Sequence, residues 1–194
     1  MTPERSPERD AALEAALPFV GALGWTRDAL RQAAGPDADL LFPGGPAEMV
    51  EAWCDLADRR MAEDAAGLDM DGMRLADRVR WVIAGRLARA EPHREAVRRA
   101  VGLLAMPGHA VLAARCTART VDAIWRAAGD DAAGWSRHSK RAILAGIYCS
   151  TVLFWLRDGS EGAAATLAFL DRRLADVGRL GRLRRAVPGM LRRG

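Results

Sequence analysis

Three histidines, three cysteines and one acid in an apolar run are the residues of this chain whose types could do chemistry. His93, His109 and His138 could ligate a metal. Neither their mutual spacing nor their spacing to carboxylates makes a ligand set. No HExxH, GxSxG or P-loop pattern occurs. "FPGGP" (42–46) has the glycines of a phosphate cradle, but its prolines remove backbone donors and no lysine follows. Asp122 as a general base would need a partner and a cleft, and an ion pair with a neighbouring arginine is the favoured reading. Cys54, Cys116 and Cys149 lie far apart without a CxxC, the pattern of buried, reduced thiols in a cytosolic compartment. Nothing here demands an enzyme, a metal or a cofactor.

The elements around these residues are helical. Apolar positions recur at helical spacing almost throughout the 194 residues, and no segment alternates like a strand. Helices are expected at about 8–23, where Pro18 should kink or end the first, and from Thr26 as N-cap to Ala34. A short turn at 37–41 precedes a helix from Pro46 to about Ala66. Further helices follow at about 73–90, from Pro92 onward, at 109–128, at 137–157 and at 160–178. Met49, Trp53, Ala57 and Met61 fall four apart on one of them, and Val97, Val101 and Leu104 point inward on another. The fold class is all-α.

Charge is unevenly placed. Residues 1–60 hold six arginines against eleven acids, whereas 177–194 hold six arginines and no acid. The polar, proline-bearing start "MTPERSPERD" has no apolar core of a secretory signal. The longest uncharged run, Ala142 to Leu156, has fifteen residues between Arg141 and Arg157. A spanning helix needs about 20, so this run is read as a helix of the protein interior. Ile143, Ile147 and Phe154 lie along one side of it, and Leu144, Tyr148, Thr151 and Trp155 along another. A helix apolar on two sides must be covered on both. Either a plain core or a core with a ligand cavity satisfies that. If a cavity exists, Leu144, Ile147, Tyr148, Thr151 and Trp155 are its expected lining, with Val121, Ile124, Trp125, Leu103 and Leu104 as further walls. Ala145 and Gly146 are the positions at which a larger side chain should fill it.

A long helix, a short helix ending "AAG", a brief turn, then Phe42 and a new long helix is the order of a TetR-type helix-turn-helix. A DNA reader needs base-contacting and cationic side chains on its recognition helix. Residues 35–42 offer Asp37 and Asp39, with no Arg, Lys, Asn or Gln, in a region of net negative charge. Both acids would repel polyphosphate, so no nucleic-acid partner is expected. "LFPGGPAEMVEAW" (41–53), "HREAVRRAVGLLAMP" (93–107), "TVDAIWRAAGD" (120–130), "KRAILAGIY" (140–148) and "FLDRRLADV" (169–177) occur in this order. Together they resemble the Coq-nine family, lipid-binding accessory proteins of ubiquinone biosynthesis, over nearly the whole chain.

The resemblance implies a TetR-like fold with a degenerate helix-turn-helix (1–45), a lipid-binding and dimerisation domain (46–178) and a basic tail (179–194). It implies no catalysis, a pocket for an isoprenoid lipid or quinone precursor, a homodimer, and delivery to the pathway's di-iron quinone hydroxylase. Between "GD" and "KR" the chain departs from the family: Trp135 stands in place of Phe, and Arg137 and His138 in place of Trp and Tyr. By position, Trp135, Arg137, His138, Lys140 and Arg141 are expected to border the partner surface. In the tail, Val177, Leu180, Leu183 and Val187 fall three or four apart, flanked by Arg179, Arg182, Arg184 and Arg185. A basic amphipathic segment of this kind lies on anionic lipid. A cytoplasmic protein peripheral at the inner membrane is the expectation; a TetR-type regulator with a hydrophobic ligand is the alternative.

Overall fold

The computed structural model describes residues 3–129 and 136–186, with side chains for 3–129 and 139–177. Eight α-helices make up the described chain, and it contains no strand. They are α1 (Pro7–Leu23), α2 (Arg27–Ala34), α3 (Pro46–Ala66), α4 (Leu75–Ala90), α5 (Arg94–Leu104), α6 (Ala110–Ala127), α7 (Ser136–Trp155) and α8 (Ala164–Ala186). Short 3-10 turns at Ala38–Leu41, Glu91–His93, Pro107–His109 and Glu161–Ala163 join them. No single helix among the described residues is long and apolar enough to cross a membrane.

Local chemistry starts the helices where the sequence indicates. The Ser6 hydroxyl accepts from the Arg9 amide at 3.1 Å and Pro7 opens α1. Thr26 accepts from the Ala29 amide at 3.3 Å and starts α2. Of the two outcomes expected at Pro18, a kink or an end, the end does not occur, and α1 continues to Leu23, the expected boundary. Pro18 is exposed, so water can reach the carbonyl that its missing N–H leaves free. The last helix does not stop near 178 but continues to Ala186.

Two apolar clusters share the interior. Leu13, Val20, Trp25, Leu30, Phe42 and Met49 join α1, α2 and the first half of α3. Ile83, Ile124, Leu144, Trp155 and Leu170 join α4, α6, α7 and α8. Trp53 is packed against both. The N-terminal unit is also stapled by charge. Arg9 is 4% exposed, donates to the Leu41 carbonyl, meets Glu48 Oε1 at 2.7 Å and stacks 4.3 Å from the Phe42 ring centre. Arg5 grips Asp55 through two hydrogen bonds of 2.9 and 2.6 Å. Arg59 grips Asp10 through two of 2.8 and 2.7 Å. Such forked contacts fix geometry as well as adding energy.

The place expected for a recognition helix is taken by the four-residue turn Ala38–Leu41. Its acid, Asp39, is held by Arg31 at 2.8 Å.

The join between α7 and α8 carries its own cap. Asp158 Oδ1 accepts from the Ser160 amide and hydroxyl at 2.8 and 2.7 Å. Its Oδ2 accepts from the Thr166 amide and hydroxyl at 2.8 and 2.6 Å. The Ser160 hydroxyl in turn accepts from the Ala165 amide at 3.0 Å, so Ser160 does cap this helix as the sequence suggests. Orphan amides at the start of α8 are thereby satisfied. The hydrogen bonds from Thr166 and Ser160 hold the Asp158 carboxyl well below the usual carboxylate range. A depressed pKa contributes stability above the unfolded value that is lost as pH falls through the folded one. Asp158→Ala is therefore expected to lower Tm by roughly 2–4 °C at neutral pH. The gap between wild type and variant should stay constant down to about pH 4 and close below it. Thermal melts across pH check this.

Candidate functional site: an apolar cavity with a polar floor

A cavity of about 680 Å³ opens among α1, α3, α4, α5, α6 and α7. That volume falls in the range of ligand pockets, about 300–1,000 Å³. Its apolar wall comes from Leu17 of α1, Trp53 and Leu56 of α3, Leu87 of α4, Val97, Val101 and Leu104 of α5, and Val152, Leu153 and Trp155 of α7. The volume exists because Ala57, Ala90, Ala100, Ala105 and Ala113 stand where larger side chains would close it. Half-exposed Glu14, Arg60 and Arg89 line one side with His93. Arg60 is paired to Glu14 at 2.8 Å, and Arg89 to Asp64 at 2.5 Å.

Trp155 is held on the wall by two contacts, and the chain just after it by two hydrogen bonds. Its indole N–H donates to Glu91 at 2.8 Å, Arg94 stacks 4.8 Å from its ring centre, and Arg94 and Arg98 donate to the Asp158 and Leu156 carbonyls. Arginines of α5 thus satisfy carbonyls at the end of α7 that the helix itself leaves unpaired.

The floor is polar. Arg86 of α4 donates from Nε to the Tyr148 hydroxyl of α7 at 2.8 Å, and its Nη1 lies 2.7 Å from Asp58 Oδ1 of α3. Thr120 of α6 donates its hydroxyl to the same carboxylate at 2.9 and 3.1 Å. Arg86, Thr120 and Tyr148 face the cavity. Burial pushes the Asp58 carboxyl up and the Tyr148 phenol up, so Tyr148 is a neutral hydroxyl. Burial opposes the charge on Arg86, but Tyr148 and Asp58 outweigh it and the guanidinium stays charged. Cys54 and Cys116 also line the cavity. A hydrogen bond with Cys116, together with burial, keeps Cys54 a thiol.

Of the residues expected to line a pocket, Leu104, Tyr148 and Trp155 do so. Val121, Ile124, Leu144, Ile147 and Thr151 are buried outside that lining. Thr151 spends its hydroxyl on its own helix, donating to the Ile147 carbonyl at 2.7 Å. Leu103 packs on the first apolar cluster and Trp125 on the second. Ala145 packs against the second cluster, and a Cβ on exposed Gly146 would meet nothing within 4 Å. Gly146 is therefore on the outer face of α7, with half-exposed Ile143 and Phe154, and a larger residue there cannot fill the cavity. Phe154 stacks on Phe169 of α8 at 4.7 Å.

Asp122 pairs with Arg141, as its setting in the sequence suggests. The Lys140 ammonium lies 6.0 Å from the Trp125 ring centre. Trp135 lies outside the described residues. Arg137 and His138 belong to α7, and Arg179, Leu180, Arg182, Leu183, Arg184 and Arg185 to α8; their side chains lie outside those described. Among the described residues no group of three or more His, Cys, Asp or Glu could hold a metal. Arg86 and Asp58 escaped sequence reasoning. The α5 line Val97, Val101, Leu104 and the α3 pair Trp53, Ala57 were visible as inward faces, though not as cavity walls.

Comparison with known proteins places this geometry. The COQ9 family model matches residues 110–181, which cover α6, α7 and most of α8. The mitochondrial ubiquinone biosynthesis protein COQ9-B of Xenopus laevis is 30% identical over 181 residues, 87% of this chain and 62% of that protein. Human mitochondrial COQ9 is 29% identical over 87% of this chain and 57% of its own length. The Drosophila melanogaster protein is 28% identical over 94% of this chain and 59% of its own length. The chain thus spans about six tenths of the curated relatives it matches. A TetR transcriptional regulator from Nitrosomonas europaea superposes with a TM-score of 0.72 at 25% identity, covering 90% of this chain and 99% of that one. Over residues 110–181 the chain is similar to the COQ9 family, and its helical frame is TetR-like.

Proposed function

We propose that this chain is a non-catalytic, lipid-binding accessory protein of ubiquinone biosynthesis. It takes an isoprenoid quinone precursor into the α1–α7 cavity and presents it to a di-iron ring hydroxylase at a membrane. The observation that carries this reading is the apolar cavity of about 680 Å³ in a chain whose relatives are ubiquinone biosynthesis proteins. Residues 1–45 act as a helix-turn-helix that has lost DNA, 46–178 as the lipid-binding and dimerisation domain, and 179–194 as a membrane-contacting tail. The exposed apolar side of α7, with Phe154 stacked on α8, is the surface on which a second copy would pack. The start of α7, with Trp135 just before it and Arg137, His138, Lys140 and Arg141 on it, borders the hydroxylase contact.

The regulator reading is favoured by the TetR neighbour and opposed by the four-residue turn where a recognition helix should stand. Its acid is paired to Arg31, and no cation there is spare for phosphate. A gel shift on the gene's own upstream region at low salt should show no protected palindrome; a specific shift would favour the regulator.

Lipid mass spectrometry on protein from its native host should find a co-purified isoprenoid quinone or precursor. Ala57→Phe and Ala113→Phe, which fill cavity volume, should deplete it while costing no more than about 1–3 kcal/mol of stability. Gly146→Leu, on the outer face, should leave the lipid unchanged. Equal lipid in all three variants would move the pocket elsewhere.

The tail should hold the protein on anionic vesicles, each arginine near the surface adding about 1 kcal/mol at low salt. Arg→Gln at 179, 182, 184 and 185 should abolish flotation with anionic liposomes, and wild type should float less in high salt and little with neutral lipid. Undiminished flotation of the variant would remove these residues from the mechanism.

A further inference from the structure

We infer that the cavity floor reads the head of its lipid: Arg86 donates a hydrogen bond to an uncharged ring oxygen, with the Tyr148 hydroxyl beside it. This rests on the lipid-binding reading above and adds the chemistry of the group recognised.

Four helices send polar groups to one place, Asp58 from α3, Arg86 from α4, Thr120 from α6 and Tyr148 from α7. The Arg86 side chain is 10% exposed and that of Asp58 is 9%. A pair buried this far is costly to desolvate, and apolar residues of similar volume often serve stability as well or better. A core that needed only packing has no use for it here. Arg86 is also incompletely satisfied. Nε is taken by Tyr148, but Nη1, although 2.7 Å from Asp58, is not aligned for a hydrogen bond and has no other acceptor. Arg86 lines the cavity, and a guanidinium there that is not fully satisfied is a place for a ligand atom.

The charge of the site selects that atom. Asp58 cancels the charge of Arg86, and Tyr148 is neutral, so the floor carries no net charge. A carboxylate or phosphate arriving there would add an uncompensated anion beside Asp58. A quinone carbonyl or a ring methoxy or hydroxyl oxygen would fill the open donor without that penalty. Most of the remaining wall is apolar and suits the tail, with Glu14, Arg60, Arg89 and His93 to one side. The Tyr148 hydroxyl accepts from Arg86, which leaves its own proton free to donate to a second oxygen on the same ring.

The test uses full-length protein and three probes: a short-chain ubiquinone, an oxygen-free isoprenoid hydrocarbon of matching length, and palmitate. Quinone binding is followed by quenching of tryptophan fluorescence, since Trp53 and Trp155 line the cavity, and binding of the other two probes by their displacement of the quinone. Two variants remove the floor in different ways. Tyr148→Phe keeps the ring and deletes the hydroxyl. Asp58→Asn with Arg86→Met removes both charges together, so neither is stranded. Both should weaken quinone binding about tenfold while hydrocarbon affinity stays within about twofold. Wild type should prefer quinone to palmitate. Equal loss for quinone and hydrocarbon, no loss for either, or palmitate bound as tightly as quinone would each overturn the assignment. If the double variant fails to fold, Tyr148→Phe decides alone. Failure of wild type to bind any probe would instead overturn the lipid-binding reading itself, and the head assignment with it.

Discussion

The node formed by Asp58, Arg86, Thr120 and Tyr148 ties together four helices at one buried point. Removing one member of such a buried pair strands the other charge at a cost of about 3–5 kcal/mol. A bundle with a hole beside its core loses dispersion contacts around that hole. Directed polar contacts at the floor therefore hold α3, α4, α6 and α7 apart at a fixed distance, where apolar side chains would favour collapse inward. Cavity and node are two aspects of one arrangement: small alanines open the space, and the polar floor keeps it in register.

Around the cavity the same economy recurs. Arg94 and Arg98 on α5 satisfy the end of α7, and Asp158 satisfies the start of α8. The two ends of that join would otherwise leave backbone groups unpaired next to an apolar wall. Trp155 gains its orientation from this scaffold, being clamped by Glu91 and Arg94. On the N-terminal side, arginines at 5, 9 and 59 lash α1 to α3. These cations are paired within the molecule. Arg31, on the short helix before the vestigial turn, is likewise bound to Asp39.

The frame is TetR-like. Its long helices can carry a ligand cavity whether or not the N-terminal unit reads DNA. The four-residue turn Ala38–Leu41 leaves Phe42, Met49 and Val50 packed in the N-terminal cluster. In the wall, Leu17 of α1 contributes directly to the cavity, so the N-terminal unit remains part of the site.

Helix positions were legible in the sequence because they depend on local chemistry. Thr26, Pro46 and Ser160 mark starts through hydrogen bonds or fixed torsions within a few residues, and the 3.6-residue period exposes each inward face. Inward faces of α3 and α5 were visible for the same reason. The end of α8 was misplaced because the helix runs on past 178. The cavity itself was beyond the sequence. Whether Leu144 and Ile147 or Val97 and Val101 meet empty space depends on which helices face each other and how small the opposing residues are. Arg86 is one of 28 arginines and carries no mark of its own. Its role arises only when folding brings Asp58, 28 positions earlier, and Tyr148, 62 positions later, to the same buried point. Composition and period specify a helical bundle; three-dimensional proximity in a low-dielectric interior decides which charge becomes a binding group.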